Sequence, residues 1–143
     1  MNYDLVVKNG TIIDGSGGAR YRADVGIVDG KIASIGRIDS KKAKTIDAEG
    51  HVVTPGFVDG HTHMDAQIFW DPIGSCSCYH GVTSVVMGNC GFTLAPCREE
   101  EADMVFRSLE RAEDLSRDAM LAGIDWSWET FPEYLDAIDK LPK

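Results

Sequence analysis

The chain has no apolar run approaching the roughly 20 residues that a membrane-spanning helix needs. It is also short of basic residues: Lys and Arg total 14 against 23 Asp and Glu, a net charge of −9 in 143 residues. Nucleic acid and anionic membranes are held by basic surfaces, so neither is expected as a partner. The opening Met1-Asn2-Tyr3-Asp4-Leu5 lacks the positive and apolar regions of a secretory signal, which predicts a cytoplasmic protein. Cysteine is scarce and clustered, with Cys76, Cys78, Cys90 and Cys97 as the whole complement. Such a cluster does not suit a disulfide framework, and in a reducing compartment metal ligation or plain burial is left for each. Internal repeats and low-complexity tracts are missing too. What remains is 43% hydrophobic and 26% charged, the balance of a globular protein.

The first 55 residues read as short strands and tight turns. Leu5-Val6-Val7 and Thr11-Ile12-Ile13 flank Asn9-Gly10, a dipeptide that tolerates positive φ and predicts a two-residue hairpin. Val25–Val28 and Lys31–Ile35 flank Asp29-Gly30 in the same way, and Gly15, Gly17 and Gly18 mark a loose connection between the two. Lys41, Lys42 and Lys44 read as a solvated turn.

The texture changes at Pro55-Gly56. Phe57-Val58-Asp59-Gly60-His61 is a short apolar strand ending in polar chemistry, and Gly81–Met87 holds a second, β-branched run. Short apolar strands suit a parallel sheet covered on both faces. Between Glu99 and Leu115, the spacing of Ala102, Val105, Phe106, Leu109 and Ala112 predicts a helix with one apolar stripe, and Glu99, Glu100 and Glu101 favour its first turn. Thr130 and Glu133 form a capping-box pattern ahead of a second stripe of Phe131, Tyr134, Leu135 and Ile138. This alternation of strand and helix predicts an α/β protein.

The chemistry centres on Asp59-Gly60-His61-Thr62-His63. Residues two apart in a strand face the same side, so His61 and His63 can offer two imidazoles to one divalent ion at a strand's C-terminal end. The alternative is a pair of surface or hydrogen-bonded histidines. Cys90, in Met87-Gly88-Asn89-Cys90-Gly91, follows the second strand and reads equally as a thiolate ligand or a small buried hydrophobe. Asp59 and Asp65 flank the histidines, and either can orient an imidazole through its second nitrogen; for Asp65 a solvated loop carboxylate is the competing reading. Cys76, Cys78 and His80 form a run whose one-residue spacing is unusual for zinc. His51 reads as structural. Trp126 and Trp128 read either as lining of a substrate cleft or as aromatic packing under a loop.

Taken together, Ile46-Asp47-Ala48-Glu49-Gly50 and Val53-Thr54-Pro55-Gly56-Phe57-Val58-Asp59-Gly60-His61-Thr62-His63 resemble the amidohydrolase superfamily. Asp65-Ala66-Gln67, Phe69-Trp70-Asp71-Pro72, Gly81–Phe92 and Trp128–Tyr134 are similar to its N-acyl-D-amino-acid deacylase (D-aminoacylase) branch. The resemblance implies part of a small β-sandwich over residues 1–55, followed over 56–143 by the N-terminal part of a metal-dependent (β/α)8 TIM barrel. It implies His61 and His63 as ligands of one metal site and Cys90 as a ligand of the adjacent one, with zinc, as one or two ions, as the cofactor. The reaction it implies is hydrolysis of an N-acyl group from a D-amino acid, a small-molecule substrate; in the family, further histidines and an aspartate general base lie on later strands.

The 88 residues after Pro55 hold two or three strand–helix units, whereas a complete barrel takes about 250 residues. No histidine follows His80. The expectation is therefore an N-terminal piece of a longer or split enzyme whose partner is the missing C-terminal portion, inactive and aggregation-prone alone. Two other readings stand beside it: a non-catalytic zinc-binding or interaction domain, and an amidohydrolase for another linear or cyclic amide.

Overall fold

The computed structural model describes residues 2–142, and the chain divides into two compact units after Pro55. The first unit is a five-stranded sheet. β1 (Leu5–Ile12), β2 (Tyr21–Val28) and β3 (Lys31–Gly36) run antiparallel in the order β3-β2-β1, and β4 (Lys44–Asp47) and β5 (Val52–Val53) pair parallel with the two halves of β1. Val6, Ile12, Val25, Ile38 and Ala48 are its buried apolar residues. Asp29 (φ 49°) and Gly30 (φ 72°) make the predicted tight turn between β2 and β3, since both positions need the left-handed region.

Asn9-Gly10 does not. β1 runs straight through it, and the register with β2 shifts between Val7 and Gly10. Asn9 adopts φ 62° as a bulge whose N–H is taken by Asp24 and whose side chain donates to Asp47. Gly10 packs so tightly that a Cβ there would stand 2.5 Å from Val53 Cγ2. The same tolerance of positive φ that closes a hairpin here serves a bulge.

The second unit carries His61, His63 and Cys90. β6 (Phe57–Thr62) and β7 (Val82–Met87) pair in parallel, with Phe57 opposite Val82, Asp59 opposite Val85 and Thr62 opposite Met87. The crossover between them holds two one-turn helices, α1 (Met64–Gln67) and α2 (Ser75–Cys78), and the Asp71 carboxylate accepts from the Ser75 N–H and hydroxyl at the start of α2. Coverage on both faces is not seen among the described residues: Val58 on β6 is 69% exposed and Val86 on β7 is 44% exposed.

A 3-10 turn over Glu99–Glu101 leads into α3 (Ala102–Glu113), which buries Ala102, Phe106 and Leu109 and ends at Asp114 in the left-handed region. An unpredicted helix, α4 (Arg117–Gly123), follows, started by the Ser116 hydroxyl accepting from the Ala119 N–H. Arg117 ties it back to Asp103 on α3. In α5 (Phe131–Asp139) the capping box forms as expected, with Glu133 Oε2 accepting from the N–H groups of Glu129 and Thr130. The buried stripe of α5 matches the expected one at Tyr134 and Ile138 only. Tyr134, Ala137 and Ile138 turn inward, while Phe131 and Leu135 are about half exposed. Leu94, Phe106, Leu109, Met120, Trp128 and Tyr134 make the core of this unit, a mixed α/β assembly.

Candidate metal centre

β6 delivers His61 from the strand itself and His63 from the residue that opens α1. Their rings lie edge to face, with centroids 5.9 Å apart. β7 runs parallel beside it, so the loop beyond its last residue, Met87, emerges at the same end. There the chain turns through Gly88 (φ 74°) and Gly91 (φ 88°), a path that L side chains resist, and places Cys90 between them. The Asn89 side chain donates to the Gly60 carbonyl at 2.7 Å, fastening this turn to β6. The Phe92 N–H donates to Cys90 Sγ at 3.4 Å, and Sγ lies 3.5 Å from Nδ1 of His63.

One ligand atom each from His61, His63 and Cys90 fall within 4.8 Å of one another. Two imidazoles and a thiol at that separation are a donor set that suits zinc, and binding would hold the thiol deprotonated. His61 is exposed, whereas His63 and Cys90 are partly buried, so the cluster is open to solvent on one side. It sits where parallel strands end, the position at which α/β proteins gather ligands.

The surrounding carboxylates distribute differently from the sequence-based expectation. Asp59 turns back to accept from the His61 N–H at 3.2 Å rather than from an imidazole. Asp65 is no solvated loop residue: it is 2% exposed, one carboxylate oxygen accepts the Leu94 N–H at 3.2 Å, and the other is buried without a partner. Burial pushes its carboxyl above the ordinary range, against the Leu94 N–H and the nearby His63, which pull the other way. Its carbonyl accepts from the Tyr134 hydroxyl at 2.9 Å, and burial, helped by the Asp65 charge, raises that phenol above its usual value.

The carboxylate that does meet an imidazole is Glu113, the last residue of α3, with Oε2 at 3.1 Å from Nε2 of His63. Nothing in the sequence pattern marks it, because its reach depends on how α3 packs.

The remaining candidates lie elsewhere. Cys76 accepts from the Gln67 amide, Cys78 donates to the Ser75 carbonyl, and His80 Nδ1 lies 2.6 Å from the Cys76 carbonyl. Among the described residues, those three are not drawn together as a metal-holding group. His51 bonds the Glu49 carbonyl in the first unit. Trp126 and Trp128 stack at 4.5 Å and spend their N–H groups on the Trp128 and Leu94 carbonyls, which is core packing.

A sequence profile of the amidohydrolase family matches residues 44–143. A D-aminoacylase of Alcaligenes xylosoxydans xylosoxydans is 36% identical over 98% of this chain and 27% of its own length. An uncharacterised protein of Mycobacterium tuberculosis is 37% identical over 99% of this chain and 24% of its own. Among solved structures, a D-aminoacylase with a binuclear metal centre superposes with a TM-score of 0.74 at 33% identity, over 96% of this chain and 27% of that one. An N-acyl-D-glutamate deacylase from Bordetella bronchiseptica, complexed with zinc and a phosphonate inhibitor, gives 0.73 at 32% identity, over 99% and 27%. The 143 residues thus span about a quarter of the length of the relatives they match.

Proposed function

The chain belongs to the amidohydrolase family, and from that premise we propose that it forms part of a metal-dependent hydrolase that removes the acyl group from N-acyl-D-amino acids. The observation that carries the reading is the meeting of His61, His63 and Cys90 within 4.8 Å at the ends of two adjacent parallel strands. On this reading β6 and β7 are the first two strands of a (β/α)8 barrel, and the open side of the cluster faces the substrate.

His61 and His63 would hold zinc through neutral imidazoles and Cys90 through its thiolate. When bound, the ion supplies Lewis-acid polarisation of the amide carbonyl and activation of water near neutral pH. The chain's own part is to aim the donors. The end of β6 and the start of α1 set His61 beside His63, Gly88 and Gly91 bend the backbone that presents Cys90, and the Asn89 contact to Gly60 fixes the two segments together. The likeness to a D-aminoacylase and to an N-acyl-D-glutamate deacylase supports the choice of substrate class.

The test is hydrolysis by the full-length gene product, loaded with zinc, of N-acetyl-D-amino acids, their L-enantiomers and a cyclic amide. D-selective release of the free amino acid, abolished by a chelator and restored by zinc, is the expected result. Preference for the cyclic amide would move the protein to another branch of the family. Turnover that survives replacement of both His61 and His63 by Ala, with metal content unchanged, would overturn the ligand assignment.

A further inference from the structure

The geometry points to Asp65 as a positioning residue that seats Cys90 against the histidine pair, a role that rests on the metal-centre reading above. Asp65 lies two residues beyond His63, in α1. Leu94 lies four beyond Cys90 and is fully buried. The Asp65 carboxylate accepts the Leu94 N–H, so one hydrogen bond joins the segment carrying His63 to the segment carrying Cys90.

Both ends of that bond are held. The Trp128 indole N–H donates to the Leu94 carbonyl at 2.8 Å, and the Tyr134 hydroxyl donates to the Asp65 carbonyl at 2.9 Å. Between Leu94 and Cys90 the chain is short, and the Phe92 N–H reaches back to Sγ. Asn89 fastens the near side of the turn to β6, but Gly91 follows Cys90 directly, so the far side must be held as well if Sγ is to stay 3.5 Å from His63.

Asp65 is a poor choice for stability alone. Its second carboxylate oxygen is buried with no partner, and burying such an atom is costly. A smaller neutral acceptor could satisfy the same N–H without that penalty. What Asp65 supplies is reach from α1 to Leu94, and through Leu94 the position of the thiolate. Groups just outside a metal's ligands typically alter affinity by about 10- to 100-fold when removed.

The experiment uses the full-length protein loaded with Co(II), read by its thiolate-to-cobalt charge-transfer band and by chelator competition, together with hydrogen exchange at the Leu94 amide with and without metal. Asp65→Ala is expected to weaken metal binding by about 10- to 100-fold, to diminish the thiolate band even at saturating cobalt, and to speed exchange at Leu94. Asp65→Asn retains an acceptor and is expected to recover affinity to within about threefold, with the band and the protection restored. If Asp65→Ala does not fold, Trp128→Phe releases the other side of Leu94 and must weaken the same band. An Ala variant with normal affinity and an intact band overturns the proposal, as does an Asn variant as impaired as Ala. A wild-type protein with no thiolate band, indifferent to Cys90→Ser, sinks the metal reading and this role with it; slow exchange at Leu94 would then show a bond that serves packing only.

Discussion

Glu113 Oε2 lies 3.1 Å from Nε2 of His63, which brings a helix-end carboxylate to the edge of the metal-ligand cluster. His63 is mostly buried and Glu113 about two-thirds so, and the pair links α3 to the end of β6. A negative charge at that place favours a bound cation and restrains the imidazole. Glu113→Gln is therefore expected to lower zinc affinity by about tenfold with little change in the fold. Chelator competition on the full-length protein measures it, and an unchanged affinity would make the contact incidental.

Leu109 is fully buried in the centre of α3. Leu109→Ala leaves a cavity among Phe106, Met120 and their neighbours, and should cost about 2–5 kcal/mol. Urea unfolding followed by tryptophan fluorescence is a suitable readout, since Trp126 and Trp128 pack in or against the same cluster. A loss under about 1 kcal/mol would mean that the surrounding side chains collapse into the space.

Gly56 precedes β6, and a Cβ there would strike the Thr83 side chain on β7. Gly56→Ala should loosen the pairing of the two site-bearing strands, and Thr83→Ala in the same molecule should recover most of the loss. The double-mutant cycle decides: independent, additive effects would show that the two positions do not collide.

Glu133 titrates below the ordinary carboxylate range because it accepts the Glu129 N–H, then the Thr130 N–H and hydroxyl. A carboxyl whose folded pKa is depressed stabilises the fold above its unfolded value, near 4.3, and that contribution fades as pH falls through the folded pKa. Glu133→Gln should accordingly melt at a lower temperature than wild type at pH 7, with the gap closing as the solution is acidified. A gap independent of pH would place the effect in packing instead of charge.

Much of this was legible in the sequence where the cause is local. The strand that carries His61 follows from its short apolar run, the parallel pairing of β6 and β7 from their apolar composition, and the start of α5 from Thr130 and Glu133; the two-residue strand period predicts the meeting of the histidines, but His63 reaches it from the start of α1, one residue beyond β6. Local signals failed where one residue type serves two purposes. Asn9-Gly10 tolerates positive φ equally in a hairpin and in a bulge, and only the pairing of β4 and β5 with both halves of β1 selects the bulge. On α5 the expected stripe holds at Tyr134 and Ile138 and fails at Phe131 and Leu135, which stay about half exposed while Ala137 packs inward beside Tyr134, whose hydroxyl bonds the Asp65 carbonyl. Glu113 and the burial of Asp65 could not be read at all, since each depends on where a distant element packs.

The contact between Cys90 and His63 spans only 27 positions of the chain. An ion held there would close a short loop between neighbouring strands, as a disulfide does, but would stabilise by binding the folded chain, in which alone the site exists. Unlike a disulfide, such a link is undone by acid or chelator and remade without any oxidant, so the ion would act as a removable cross-link.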